Sequence, residues 1–325
     1  MSSSDPSPSK SAPVSGAHIS EIPDAGIANT INGNRVLRKT PKLFDLAHAA
    51  IAKGIPGAWK FLSLLQGSIL KDSVAAYQFT GLKPVTLYAP LFRRESSKTY
   101  DELERYDALV VDDLVRHLPS GSNAPVWFVD VGADIGLVSS QVIRRVPGLE
   151  RLFAFEPNDA ARPYLEAMLV SAGIDHRVFN AAVAAQSGRG RLQSPSEDPS
   201  EHARFIAPDP EGPIAIMAIN DLPDPAGKTI ILKVDVEGGE EAVIKGALDF
   251  LRRADQFIVT FEAHPKVIKR TGHTPDDVLA QLNSIASCSV HLAGDAKVRF
   301  QSGKPITEQI PDFENRVHNL ICRPI

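Results

Sequence analysis

The feature that most constrains the fold is a regular alternation, from Val126 to Cys322, of short apolar runs with amphipathic stretches of helical period. Strands are expected over residues 126–131, 151–156, 177–183, 229–234 and 256–262, with two more near 289–293 and 317–322. Helices are expected between them over residues 137–146, 159–172, 240–251 and 275–285. Several of the strand runs are continuously apolar, as strands buried on both faces are, so the alternation predicts a parallel sheet covered by helices on each side. The fold class is α/β, doubly wound.

Upstream of this region the pattern is looser. Residues 1–40 are rich in Ser, Pro, Gly and Asn without a period and read as a disordered or loosely ordered tail. Residues 41–122 read as an N-terminal extension: two short helices at 43–51 and 58–70, a strand at 83–89, and a helix over 99–117 ended by Pro119, Ser120 and Gly121. The two short helices either cap the site or dock on the sheet edge. Residues 123–325 are expected to form one α/β domain, and a polar insertion at 193–212 is a candidate substrate-side loop.

Composition narrows the partners. Hydrophobic residues are 43% and charged residues 23%, the balance of an ordinary globular protein. Thirty-five Lys and Arg against 39 Asp and Glu give a net charge of −4, so a nucleic-acid partner, which calls for a basic surplus, is not expected. The apolar stretch at 51–70 is interrupted by Lys53, Pro56 and Lys60 and makes no membrane span. The first residues lack the apolar core of a secretory signal, and Cys288 and Cys322 show no C-x-x-C spacing. A cytoplasmic location with buried thiols is the expectation.

Two segments carry chemistry. FVDVGADIGLVSS, residues 128–140, takes an apolar strand into a glycine-bearing turn and then a helix, which brings backbone close to a ligand at Gly132 and Gly136. FAFEPN, residues 153–158, places Glu156 at the end of the next strand, where a carboxylate accepts hydrogen bonds from both hydroxyls of an adenosine ribose. A dinucleotide fingerprint needs G-x-G-x-x-G; here Asp134 and Leu137 stand at the second and third glycine positions. Asp130 and Asp134 beside the turn would repel a pyrophosphate but suit the sulfonium and amino group of S-adenosylmethionine.

LKVDVEGGEEAVIKGA, residues 232–247, is the second segment. Asp235 and Glu237 follow a buried strand and are expected to face the same crevice, able to orient a hydroxyl, act as a general base or ligate a divalent metal. The next strand ends in FEAHP, bringing Glu262 and His264 to that rim, with His264 a candidate proton acceptor. Glu240 and Glu241 read as acidic residues favouring a helix N-terminus.

With DVGADIGLVS, FAFEPN, NAAVA (180–184) and above all KVDVEGGEEAVIKGA, the chain resembles the FkbM-type methyltransferases. The resemblance implies a class I, Rossmann-like methyltransferase sheet and O-methylation of a sugar, glycan or secondary metabolite, a small-molecule or glycan acceptor. It places Asp130, Gly132, Asp134 and Gly136 around the methionine moiety. Glu156 would take the ribose with Pro157 and Asn158 beside it, Asn180 and Ala182 would lie near the adenine, and Asp235 and Glu237 would form the floor of the transfer site. The first motif usually has Asn where this chain has Asp134. A metal-dependent glycosyltransferase using Asp235 and Glu237 and a nicotinamide oxidoreductase remain the alternatives.

Overall fold

The computed structural model describes residues 35–37, 42–71, 73–91, 100–119, 124–194 and 205–325. The N-terminal part contains β1 (Arg35–Leu37), α1 (Lys42–Ala52), α2 (Ala58–Gly67), β2 (Ser73–Phe79) and β3 (Val85–Pro90). The strands form a small sheet in the order β1-β2-β3. Residues 35–37 are therefore a strand within the tail expected to be loosely ordered; most of that tail lies outside the described residues. The strand β2 was not expected from the sequence. Its burial on both sides hides the period-2 signal that a half-exposed strand would show.

Two short helices follow, α3 (Tyr100–Arg105) and α4 (Ala108–His117). One helix was expected here. It breaks at Asp107, whose φ of 48° is left-handed and ends the first run of helical hydrogen bonds.

The α/β part then alternates as expected: β4 (Val126–Val131), α5 (Leu137–Arg145), β5 (Leu149–Phe155), α6 (Arg162–Ala172) and β6 (Asp175–Phe179). After β7 (Ala181–Val183), β8 (Gly188–Gln193), β9 (Phe205–Pro208) and β10 (Ile214–Met217), it resumes with β11 (Thr229–Val234), α7 (Glu240–Lys245), α8 (Leu248–Arg253) and β12 (Gln256–Ala263). It closes with α9 (Pro265–Thr271), α10 (Pro275–Asn283), β13 (Cys288–Leu292), α11 (Ile306–Gln309) and β14 (His318–Pro324).

The main sheet has seven strands in the order β13-β14-β12-β11-β4-β5-β6. All pairings from β6 to β12 are parallel, and β14 runs antiparallel between β12 and β13. Strand alternation sorts its side chains into two cores. Val126, Phe128, Leu152, Ala154, Ile231 and Ile258 pack with α4, α5, α6 and the N-terminal part. Trp127, Val129, Phe153, Leu232 and Val259 pack on the opposite face with α7, α8 and α10. This two-sided burial is what a doubly wound sheet requires.

The single strand expected over 177–183 divides at Asn180: β6 closes the main sheet, while β7 joins a second sheet ordered β7-β10-β8-β9. The polar insertion at 193–212 is likewise not a plain loop, since β9 pairs antiparallel with β8; its residues 195–204 lie outside the described residues. The expected helix over 240–251 splits at Gly246, where a Cβ would stand 2.2 Å from the Ala184 carbonyl oxygen.

The β2–β3 unit docks on the outer side of α5 and α6. The Leu82 N–H donates to the Arg144 carbonyl at 2.8 Å, and the Thr86 N–H donates to Ser171 Oγ at 3.0 Å. Arg144 in turn makes a bidentate pair with Glu104 (3.0 and 2.7 Å) and donates to the Thr80 carbonyl, tying α3 to the same helices. The α3–α4 turn, by contrast, reaches the carboxyl rim of the sheet.

Candidate active site

On the first two strands of the site, the turn after β4 is built from three left-handed residues, Gly132 (φ 77°), Asp134 (φ 46°) and Gly136 (φ 87°). Asp and Asn are the non-glycine residues that tolerate this region, which explains why Asp134 can replace the more usual Asn without changing the turn. A Cβ at Gly132 would lie 1.9 Å from the Asp235 carbonyl oxygen, so the β4 and β11 turns touch backbone to backbone. Gly136 serves packing: a Cβ there would strike Met168 at 2.3 Å.

Glu156 sits at the end of β5 with only 7% of its surface exposed. Its two carboxylate oxygens accept from the backbone N–H groups of Asp134 and Asn158, each at 2.7 Å. Burial, with the Asp134 charge next, raises its pKa to about 7. Each oxygen keeps a second lone pair, enough to receive a diol. The neighbouring Asn180 side chain donates to Asp159 at 3.3 Å, and Ala182 is buried in β7. A fixed acceptor pair for a ribose and a rim dominated by carboxylates fit S-adenosylmethionine, whose sulfonium and ammonium are cationic.

Behind this turn lies a buried cation. Lys233 on β11 stands directly across from Asp130 on β4. Its ammonium lies 3.2 Å from Asp130 Oδ1 and 3.3 Å from Asp235 Oδ2, and it donates to the Gly132 carbonyl at 2.7 Å. Asp130 is 0% exposed and also accepts from Ser139 Oγ at 2.6 Å. It is thus held inside the protein and braces the turn from below. Its two neighbouring carboxylates push the Lys233 pKa up against the opposing effect of burial.

Across the rim, Asp235 and Glu237 follow β11, and Glu262 ends β12 on the face shared with Lys233. Glu237 has a left-handed φ of 55°, and its carbonyl accepts from Arg270 Nη2 at 2.5 Å. The Arg270 guanidinium lies over the Phe205 ring of β9 at 5.1 Å, so the insertion reaches this rim. Burial first, then the Asp235 and Glu237 charges, raise Glu262 to about 9. Tyr106, from the α3–α4 turn, is pushed up by burial and by Asp107 and Asp235. Beyond Glu262 opens a cleft of about 490 Å³ lined by Asp107, Arg105, Gly294, Arg316, His318 and Asn319, among others. Asn319 is the strand partner of Glu262, so the cleft adjoins the acidic rim.

The carboxylates expected from the sequence therefore meet at one end of the sheet, with two departures. His264 is the N-cap of α9: its Nδ1 accepts from the Lys266 N–H at 3.2 Å. That bond uses the lone pair of a neutral imidazole and leaves a donor at Nε2, so His264 is turned away from the proton-acceptor role expected of it. Among the described residues no group of three or more His, Cys, Asp or Glu side chains is placed to hold a metal ion, so Asp235 and Glu237 lack a third ligand. Glu240 bonds the Gly238 N–H, and Glu241 accepts from Gln281, both in structural roles. Lys233, Tyr106 and Asp107 were not singled out from the sequence. For Lys233 a signal was present, a lone charge inside the apolar run IILKV. No local signal marks Tyr106 or Asp107, which only tertiary packing brings here. Cys322 is buried and Cys288 half-buried, and both are free.

A seven-strand sheet with one antiparallel strand inserted beside its last member, a glycine turn after the central β4 and an acid ending β5 make up the class I methyltransferase fold. The model of the methyltransferase FkbM domain matches residues 130–288, just under half of the chain, and that stretch is similar to this family. S-adenosylmethionine is the methyl donor that this family implies. No curated protein matches the chain. Among solved structures it is similar to the methyltransferase FkbM from Methylobacillus flagellatus KT (18% identity, TM-score 0.37, 63% of this chain and 45% of that one). It is also similar to magnesium protoporphyrin IX methyltransferase from Synechocystis PCC 6803 with bound SAH (12%, 0.38, 70% and 87%). A third is a SAM-dependent O-methyltransferase from Thermotoga maritima (9%, 0.35, 68% and 65%). The chain thus spans under half the length of the Methylobacillus protein.

Proposed function

We propose that the protein transfers a methyl group from S-adenosylmethionine to a hydroxyl of a sugar, glycan or secondary metabolite seated in the cleft beside Asp107 and Asn319. One observation carries this reading: the acidic rim of Asp235, Glu237 and Glu262 lies between the Gly132 turn and that cleft. Bound at the turn, S-adenosylmethionine supplies a methyl group made electrophilic by its sulfonium. Glu156 holds the ribose hydroxyls, Pro157 and Asn158 flank them, and Asn180 and Ala182 border the adenine. Asp130, Lys233, Asp134 and Gly136 keep the turn in shape. Asp235 and Glu237 accept hydrogen bonds from the acceptor and fix its oxygen for in-line attack. Glu262 takes the hydroxyl proton, because burial and then the carboxylates around it raise its proton affinity.

In this reading residues 123–325 are the methyltransferase domain and residues 41–122 an extension that shares the core on the α5–α6 face. The test is transfer of labelled methyl to a panel of hydroxylated, amino and thiol acceptors. Methylation of a hydroxyl is expected, with Glu262→Gln and Asp235→Asn each lowering kcat by about 10²-fold while donor affinity holds. Turnover confined to amines or thiols would reject it.

A further inference from the structure

The helical hairpin of α1 and α2 exposes an unusual amount of apolar surface. Twelve large hydrophobic side chains are exposed among the described residues, and seven of them lie between residues 43 and 69: Leu43, Leu46, Ile55, Trp59, Phe61, Leu64 and Ile69. Scattered exposed hydrophobics are ordinary, but a concentration of this kind marks an interaction surface. The inward rows of the same helices are satisfied. Phe44 and Ala47 on α1, and Leu62 and Leu65 on α2, are buried in the core. The exposed leucines, and Phe61, occupy a separate row on each helix, at spacing three (43 and 46; 61 and 64), so they are not needed to hold the hairpin down. Trp59 is 62% exposed and Leu64 67%.

Charge selects the occupant. Residues 42–71 carry four lysines, Lys42, Lys53, Lys60 and Lys71, against one acid, Asp45, a net of +3 in a chain whose total is −4. All four lysines are exposed. They fall in pairs at the two ends of the hairpin, Lys53 and Lys60 around the Gly54–Gly57 turn with Ile55 at its tip, and Lys42 and Lys71 at the open end. A second copy of the chain would bring +3 against +3. An anionic bilayer surface accepts both features at once: apolar side chains enter the headgroup boundary, a tryptophan sits at the interface, and lysines reach the lipid charges. No described helix is long and apolar enough to cross a membrane, and this geometry asks for none.

We propose that the α1–α2 hairpin docks the enzyme on the surface of an anionic lipid bilayer, through the exposed apolar side chains Leu43, Leu46, Trp59, Phe61 and Leu64 framed by the four lysines. The surface is built on the extension, so the inference does not rest on the identity of the methyl acceptor.

The experiment is cosedimentation of the full chain with vesicles of phosphatidylcholine and phosphatidylserine, and with phosphatidylcholine alone. Binding to the anionic vesicles is expected, weakening as salt is added. Each lysine changed to glutamine should lower affinity about fivefold, and Leu64→Ser or Phe61→Ser about tenfold or more. Circular dichroism of these exposed-site variants checks that they fold. Brominated lipid should quench Trp59, while Trp127 in the core stays bright. Methyl transfer to an acceptor in free solution should be unchanged in the same variants. The proposal is overturned if the chain does not sediment with anionic vesicles, or if binding survives every substitution. It is also overturned if Leu64→Ser instead abolishes a concentration-dependent dimer that binds no lipid.

Discussion

Replacing Lys233 by Met tests the buried charge cluster that holds the two site turns together. The substitution keeps an unbranched apolar stem and removes the ammonium. Asp130, 0% exposed, would then face Asp235 with no cation between them, and the Gly132 carbonyl would lose its donor. Breaking a buried pair by removing one partner costs about 3–5 kcal/mol, which is roughly a hundredfold to a few thousandfold in the folding equilibrium. The assay is urea unfolding near neutral pH, followed by the fluorescence of Trp127, one of two tryptophans and a buried one. Adding Asp130→Asn removes the stranded carboxylate while leaving an oxygen for the Ser139 hydroxyl, so the double variant should regain about 1–3 kcal/mol over Lys233→Met alone. The reasoning fails if Lys233→Met costs under about 1 kcal/mol and Asp130→Asn brings nothing back.

Three further outcomes follow from the same geometry. Gly132→Ala places a Cβ against the Asp235 carbonyl at a left-handed φ, and should lose donor binding in calorimetry together with about 2 kcal/mol or more of stability. Gly136→Ala meets the mobile end of Met168 and should cost about 1–3 kcal/mol in urea unfolding. Glu262 has its folded pKa raised from the ordinary 4.5 to about 9 by burial and by Asp235, Glu237 and Asp107, with Lys233 opposing. The folded state therefore holds a proton that the unfolded chain has lost, and this contribution to stability declines as pH rises from about 4.5 to 9. Melting temperatures across that range should show Glu262→Gln gaining on the parent toward alkaline pH, and the methyl-transfer rate of the parent should rise with pH as Glu262 ionises.

The sequence carried the sheet because strand and helix periods speak locally: the apolar runs at β4 and β11 fall at the residues expected, and the turns DVGAD and VEGG mark the ends where the carboxylates gather. It failed where tertiary contacts decide. Asp107 ends a helix through a left-handed φ that its amphipathic pattern does not encode, and that break is what swings Tyr106 to the rim. Asn180 divides one apolar run between two sheets, a choice made by the partner strand β10. His264 has the chemistry of a base, yet the proline after it starts a helix whose free N–H takes its lone pair. Asp130 was read as facing the donor, whereas the register with Lys233 turns it inward.

The most direct test is calorimetric titration of S-adenosylmethionine into the purified chain and into Glu156→Ala, with NAD as a control. The account requires binding by the parent, no binding of NAD, and a loss of about tenfold to a few hundredfold on removing a carboxylate that accepts charge-assisted hydrogen bonds. Undiminished affinity in Glu156→Ala, or preference for NAD, would contradict it.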